Sequence, residues 1–484
     1  MQPIGIEESR FLDPQGREHI FHGLNLKNDS NYVNEHPPLG HLVLLDEAFF
    51  RRSAELGFRV LRLGLCWESI EPEKGQYNEA LLQKVDEIFT LAETYGVYIF
   101  LDMHQDLYSS FGIATGNGMP SWATLSDGCA RKPTKFVWAE GYFWSKAVHR
   151  AFDNFWANTP VLGKGIQEHF TDVWQLLARR YGERPALFGF DILNEPFPGS
   201  PGGKVFRKLI AKLARVCLVS PKVHRMRFFK TALRKQTRGH ALDVLTPEVL
   251  YQVTQGGAAE NILRRFYLEQ YSPFLTKVTK AIREITPKGV IFIEHCYYSN
   301  IAVPFSAALP EGEAVCYSPH GYDFTVDTPA YAFANNERAG ALFAENRRAQ
   351  QRLNVPVLVG EWGGGGEGES FFPHIEYLMN LFDAYAWSNA YFTYGDGFFD
   401  QPIIRVISRP YPMAVNGRIR SFSVDPAAKT FTLEYAPQAA AHPTEIYLPR
   451  GVRRLDAGAD ADVRLDGHVL SVTTKADRIV VWYD

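Results

Sequence analysis

Apolar and polar positions follow two rhythms along this chain. For about 400 residues, short apolar runs of strand length precede stretches with apolar residues every three or four positions, the pattern of βα units on a parallel sheet. Strands are predicted near 20–25, 59–65, 97–103, 187–193, 290–294, 314–319, 357–361 and 390–394, and helices over 79–95, 166–181, 262–285 and 372–385. After Arg409-Pro410-Tyr411-Pro412 the rhythm shortens to alternating segments at 419–424, 430–435, 445–448, 463–465, 468–473 and 478–482. Turn residues at Gly417, Asp425-Pro426, Gly451 and Asp466-Gly467 separate them, as in a compact β-sandwich.

The predicted fold is therefore α/β: a (β/α)8 TIM barrel over 1–410 followed by a C-terminal β-sandwich over 411–484. A barrel alone takes about 250 residues, and more with insertions. Two insertions stand out at 104–160 and 199–257, each leaving a strand's carboxyl end, the face where barrel loops build a pocket. Hydrophobic residues at 46% and charged residues at 22% support a sizeable core. No apolar run is long enough to predict a membrane helix.

Charge changes this picture at one place. The formal charge is only -3, yet Lys204, Arg207, Lys208, Lys212, Arg215 and the further Lys and Arg up to Arg238 lie in a stretch without Asp or Glu. The rest of the chain is correspondingly acidic. Within the basic stretch, Val205, Phe206, Leu209, Ile210, Leu213, Val216 and Cys217 recur at helical spacing. This predicts an amphipathic helix, either lying on an anionic lipid surface through 204–238 or packed on the barrel with a solvated cationic face. No nucleic-acid partner is expected. Cys66, Cys129, Cys217, Cys296 and Cys316 are scattered, odd in number and without metal spacing, so they read as structural thiols. The first residues lack a basic segment followed by an apolar one, so no secretory signal is visible.

Candidate chemistry sits where two apolar strands stop abruptly. Ala186 to Gly199, ALFGFDILNEPFPG, closes on Asn194-Glu195-Pro196, and Pro196 cannot continue a ladder. Val355 to Gly366, VPVLVGEWGGGG, closes on Glu361. Two carboxylates at the ends of the fourth and seventh strands can face each other across a barrel mouth. Glycosidic hydrolysis needs such a pair, one protonated and one ionised. No His or carboxylate spacing points to a metal, and no cofactor is implied.

With Arg62 in VLRLGLCW, His104 in LDMHQD and His320-x-Tyr322 in SPHGY, these segments resemble glycoside hydrolase family 5 of clan A. LDMHQDLYS, GNGMPSWAT, RAFDNFW, ILNEPF, RPYP and PTEIYLP are similar to the endoglycoceramidases, including the endogalactosylceramidases. The resemblance implies a retaining endo-β-glycosidase cutting between oligosaccharide and ceramide of glycosphingolipids, with Glu195 as acid/base and Glu361 as nucleophile. Asn194 would bind the sugar 2-OH, and Arg62 and Tyr322 would hold Glu361 ionised. His104, Asp106, Trp138, His320 and Phe392 complete the implied substrate site, with Asp106 facing the pocket and Asp102 structural; for His104 and His320, a core network is the alternative. The resemblance also implies an extracellular setting.

Two departures from the family pattern bear on the first sugar. Phe392 stands where the family usually ends its eighth strand with Trp, and Gly363 to Gly366 run on into Glu367 and Glu369. Together they favour the galactose-accepting branch. The alternatives are a β-glucosidase on glucosylceramide or sterol glucosides, a glucanase, or a glycolipid-binding protein on an inactive barrel.

Overall fold

A computed structural model describes residues 1–27, 39–111, 116–130, 138–220, 242–326, 331–364, 368–439 and 442–484. All eight predicted barrel strands are present: His22–Lys27, Val60–Leu65, Tyr98–Met103, Leu187–Asp191, Val290–Ile293, Val315–Tyr317, Leu358–Gly363 and Ser388–Phe392. Every neighbouring pair runs parallel. The sixth strand pairs with the fifth through Val315–Tyr317, and its continuation His320–Gly321 pairs with the seventh, His320 opposite Glu361. That step closes the ring, which periodicity alone could not establish. The eight strands, their helices and the sheet-rich C-terminal region make a TIM barrel with a C-terminal β-sandwich.

The helices Glu79–Tyr95, Ile166–Tyr181 and Phe372–Tyr385 fall at the predicted bounds. Glu79–Tyr95 shows why: the Asn78 side chain accepts from the Leu81 amide at its start, and Gly96 at φ 69° ends it. The span predicted as one helix over 262–285 is instead Ala258–Phe266, a wide turn at Tyr267–Tyr271, and Ser272–Arg283. Among the described residues, none forms a helix long and apolar enough to cross a membrane. All five cysteines are free thiols.

The barrel interior is filled in two layers of opposite character. Below lie Val60, Phe100, Phe188, Phe292, Cys316 and Leu358, with Phe100 stacked on Phe292 at 4.4 Å. Phe11, from the N-terminal strand Arg10–Leu12, packs on Phe188 at 5.2 Å and covers this layer. Above it stand Asn25, Arg62, Asp102, Asp191 and Glu294, all buried. An apolar floor thus keeps water from a charged layer, which strengthens every interaction in that layer.

The C-terminal region has two sheets around a separate core that includes Phe431, Leu433, Ile446 and Ile479. One is built from Gly417–Asp425, Thr430–Pro437, Arg478–Tyr483 and Val452–Asp456. The other gains the N-terminal strands Gly5–Glu7, Arg10–Leu12 and Glu18–His19, the last pairing with Tyr411–Val415. Sequence reading found none of these N-terminal strands, nor Tyr411–Val415 and Val452–Asp456. Tyr411 and Tyr447 donate hydrogen bonds to the Gly57 and Glu55 carbonyls, tying this region to the barrel.

Candidate active site

The fourth strand ends at Asp191, and the chain then turns through Asn194 and Glu195. Glu195 adopts φ 39°, uncommon for a residue with a Cβ, with Pro196 next in line. Its amide donates to Glu294 Oε2 at 2.7 Å, and the Asn194 amide donates to the Met103 carbonyl at 3.1 Å. The side chain is thereby aimed across the barrel mouth. Glu361 faces it from the seventh strand, where Gly360 makes the approach possible: a Cβ there would meet Ser318 Oγ at 2.5 Å.

One imidazole lies between the two carboxylates. His320 Nδ1 lies 3.0 Å from Glu195 Oε1 and 3.7 Å from Glu361 Oε2. Asn300 Nδ2 also donates to Glu195 Oε1. Glu361 accepts from Arg62 Nη1 at 2.6 Å and from the Tyr322 hydroxyl at 3.1 Å. Arg62 is itself held by Asp191 at 3.0 Å, Asn194 at 2.9 Å, Asp102 at 3.0 Å and Glu294 at 2.5 Å. Asp102, Asp191 and Glu294 lie close enough to chelate a cation, and the Arg62 guanidinium is the cation placed among them.

These surroundings split the pair electrostatically. Burial, and the Glu361 charge with it, raises the Glu195 carboxyl above its ordinary range against the opposing pull of His320. Burial also pushes Glu361 up, but the positive charges of His320, Arg62 and His104 outweigh it and leave Glu361 below its ordinary value. Burial alone would discharge His320, yet Glu294 and Glu361 hold its proton well above the usual imidazole range. The site can therefore present one protonated and one ionised carboxyl at the same pH.

A cavity of about 470 Å³ opens above the pair. Of the residues predicted from sequence, Glu195, Glu361, Asn194, His104, Asp106, Trp138, Tyr322 and Phe392 line it. Arg62 and His320, predicted as substrate-binding, lie beneath the carboxylates and off the cavity wall. His104 Nδ1 bonds Asp102 at 2.7 Å while Nε2 faces Asp106 at 3.5 Å. Against the effect of burial, the two acids hold this imidazole up to about 9. Asp102 is enclosed with Arg62, and Asp106 reaches the cavity, where Lys27 Nζ meets it at 2.7 Å.

Sequence reasoning missed Lys27, Glu294, Tyr297 and Asn300. Glu294 carried a signal: VIFIE is an apolar strand closing on a carboxylate, as at Glu195 and Glu361. Asn300 and Tyr297 come from the Tyr297–Ile301 turn, whose composition shows no periodic pattern. Glu367 and the glycines at 365 and 366 lie outside the described residues.

The basic helix is described over Ser200–Val219, and 221–238 lie outside the described residues. Val205, Leu209 and Val216 are buried as the spacing predicts, whereas Ile210, predicted for the packed face, is exposed. Lys212 turns to the carbonyls of Gln255 and Gly256 at 2.6 and 2.7 Å, just past the carboxyl end of the helix Pro247–Thr254. Lys204, Arg207, Lys208 and Arg215 are exposed.

The chain is similar to known proteins. A family profile described as cellulase (glycosyl hydrolase family 5) matches residues 21–219 and 260–397, and one described as the glycoside hydrolase family 5 C-terminal domain matches 409–483. An endoglycoceramidase of Cyanea nozakii is 29% identical over 223 residues, 40% of this chain and 42% of that protein. The chain spans about two-fifths of the length of the first curated relatives it matches. Endoglycoceramidase I of Rhodococcus hoagii is 24% identical over 457 residues, 92% of this chain and 79% of that one. A solved endogalactoceramidase structure superposes with a TM-score of 0.69 at 21% identity, covering 100% of both chains. With both parts of the fold matched, the chain belongs to glycoside hydrolase family 5.

Proposed function

We propose that this chain is a retaining endo-β-glycosidase that hydrolyses the linkage between oligosaccharide and ceramide in glycosphingolipids, of the galactosylceramide-linked type. The observation that carries the reading is the His320-bridged pair, Glu195 raised and Glu361 lowered, at one end of an aromatic-walled cavity. Bridging by one nitrogen fits the roughly 5–5.5 Å separation of a retaining pair, where an inverting pair stands roughly 6.5–9.5 Å apart to admit a water. Glu361 attacks the anomeric carbon while Glu195 gives its proton to the departing ceramide oxygen, leaving a glycosyl ester on Glu361. The ionised Glu195 then takes a proton from water, whose oxygen displaces Glu361 and frees the intact glycan. The relatives named endoglycoceramidase support the lipid aglycone, and Phe392 on the cavity wall together with the endogalactoceramidase neighbour supports galactose as first sugar.

The aglycone side has an apolar route outward. Trp138 and Tyr297 on the cavity wall adjoin each other at 6.1 Å, and Phe143 joins Tyr297 to Phe206 at 5.9 and 4.3 Å. Phe206 touches Trp144, which is 54% exposed, and further along this helix Ile210 and Leu218 are 49% and 63% exposed beside Lys204, Arg207, Lys208 and Arg215. Apolar side chains ringed by cations suit an anionic lipid interface. Neutralising these four cations should lower turnover on anionic vesicles severalfold more than on detergent-dispersed substrate; equal loss on both would reject the docking.

Mass analysis of products from a glycosphingolipid panel tests the cut itself. Free ceramide with intact glycan, fastest from galactosylceramide-linked substrates, is expected. Stepwise release of single sugars would refute the endo-acting reading, and preference for glucosylceramide-linked glycans would refute the galactose assignment.

A further inference from the structure

The third strand-end glutamate stands outside the catalytic pair and does not itself line the cavity, yet it contacts what holds both members. Glu294 follows the fifth strand and is fully buried. Its Oε2 accepts the Glu195 amide at 2.7 Å. Its Oε1 accepts from Arg62 Nη2 at 2.5 Å and lies 3.2 Å from His320 Nε2, an ion-pair contact without hydrogen-bond alignment. Arg62 in turn carries Glu361, and His320 bridges the pair. We propose that Glu294 is a positioning residue for both catalytic carboxylates, one oxygen fixing the Glu195 backbone and the other fixing the Arg62 and His320 that hold Glu361.

The backbone contact has a specific task. At φ 39° Glu195 occupies a region that costs a residue with a Cβ free energy, and such a conformation persists only when its surroundings over-determine it. The charged acceptor on its amide is one such determinant, since hydrogen bonds to an ionised group are roughly twice as strong as neutral ones. The second task is electrostatic. Around Glu294 stand Arg62 from the second strand, Asp102 from the third, Asp191 from the fourth and His320 from the sixth. Glu361 adds negative charge from the seventh strand. Tyr271 and His295 close the remaining sides, the hydroxyl raised by burial and the imidazole lowered by burial to about 3, so both stay neutral. Asp191, raised by burial and by the Glu294 charge, is held by Arg62 Nε at 3.0 Å. Arg62 and His320 are therefore the cations that Glu294 neutralises, and Glu294 is the nearest ionised partner of His320 Nε2.

The sign of the effect follows. Without the Glu294 charge, the buried His320 loses its proton more readily, and a neutral imidazole no longer lowers the Glu361 carboxyl; the direct repulsion of Glu361 by Glu294 is lost as well, but it is weaker than the pull of His320. The acid limb of kcat/KM, set by Glu361, then moves to higher pH.

The test uses an activated aryl β-glycoside, because the inference rests on the roles of the pair and not on the lipid aglycone. If the wild type leaves this probe intact, the hydrolase reading and this inference fail together; if it turns over, the variants judge Glu294 alone. Glu294→Gln, which keeps the shape, should lower kcat about a hundredfold, with KM within about threefold and the acid limb displaced upward by about one pH unit. Glu294→Asp keeps the charge and should retain the wild-type limb at reduced kcat. A folded Glu294→Gln with wild-type kcat and limb would overturn the proposal. So would Glu294→Asp and Glu294→Gln losing kcat equally with neither limb moved, which is the pattern of a merely structural group.

Discussion

Removing the amide that Asn300 donates to Glu195 should shift the enzyme's alkaline limit in a calculable direction. Glu195 Oε1 accepts two donors, Asn300 Nδ2 and His320 Nδ1, and both favour the ionised carboxylate. Asn300→Ala deletes one. A hydrogen bond to a charged group contributes about 1.5–3 kcal/mol, and each pH unit corresponds to about 1.4 kcal/mol. His320 remains, and water entering the vacated space returns part of the loss, so the Glu195 carboxyl should rise by about one unit. The reacting form carries the proton on Glu195, hence the alkaline limb of kcat/KM should move up by the same amount while the acid limb stays. The assay needs an alkyl β-glycoside, whose poor leaving group makes protonation by Glu195 obligatory. Below neutral pH the variant should be slower than wild type, because an unrestrained carboxyl spends less time aligned with the leaving oxygen. An alkaline limb that stays in place or moves down would refute the assignment of Glu195 as the acid and of Asn300 as its donor.

Three further substitutions probe the scaffold beneath the site. Arg62→Met leaves Asp102, Asp191, Glu294 and Glu361 without their shared cation and should cost about 3–5 kcal/mol in urea unfolding at neutral pH; a loss under about 1 kcal/mol would contradict the buried network. Gly360→Ala places a Cβ 2.5 Å from Ser318 Oγ and 3.0 Å from His320 Nε2, so about 1–3 kcal/mol of stability and most of kcat should go, and unchanged kcat would count against the crowding. Glu18 is pushed by burial to about 7 against 4.5 for the free side chain, so between those values the folded chain binds a proton that the unfolded chain lacks. Stability should therefore fall as pH rises from 4.5 to 7, by up to about 3 kcal/mol for this group. Glu18→Gln should flatten part of that slope and be more stable than wild type at pH 8, Asp383, likewise raised by burial to about 7, keeping the rest; an unaltered slope in urea midpoints would exclude Glu18 as its source.

Strand-length apolar runs made the barrel legible, because strands such as Val60–Leu65, buried on every residue, leave no room for polar alternation. The abrupt stop at Asn194-Glu195-Pro196 made one catalytic candidate legible for the same reason. The N-terminal strands were not, since pieces of two or three residues carry no period and their pairing partners lie hundreds of positions away. Glu294 had the same local signature as its two counterparts, but nothing local to VIFIE shows that this carboxylate lies under the other two and not in solvent. Asn300 and Lys27 owe their places to tertiary approach alone: Asn300 meets Glu195 across 105 positions, and Lys27 meets Asp106 across 79. Closure of the ring was equally non-local, resting on His320 lying opposite Glu361.

The pairing of Glu18–His19 with Tyr411–Val415 also sets an order of events during synthesis. Glu18 accepts the amide of Ile419, 401 positions later. At about 5–20 residues per second a ribosome needs roughly 20–80 s to make that stretch. For that interval the first strands emerge with no sheet edge to join, exposing the unpaired backbone that invites aggregation. A chaperone that shields the nascent strands at Gly5–His19 until Tyr411–Val415 has been made should raise the yield of folded chain.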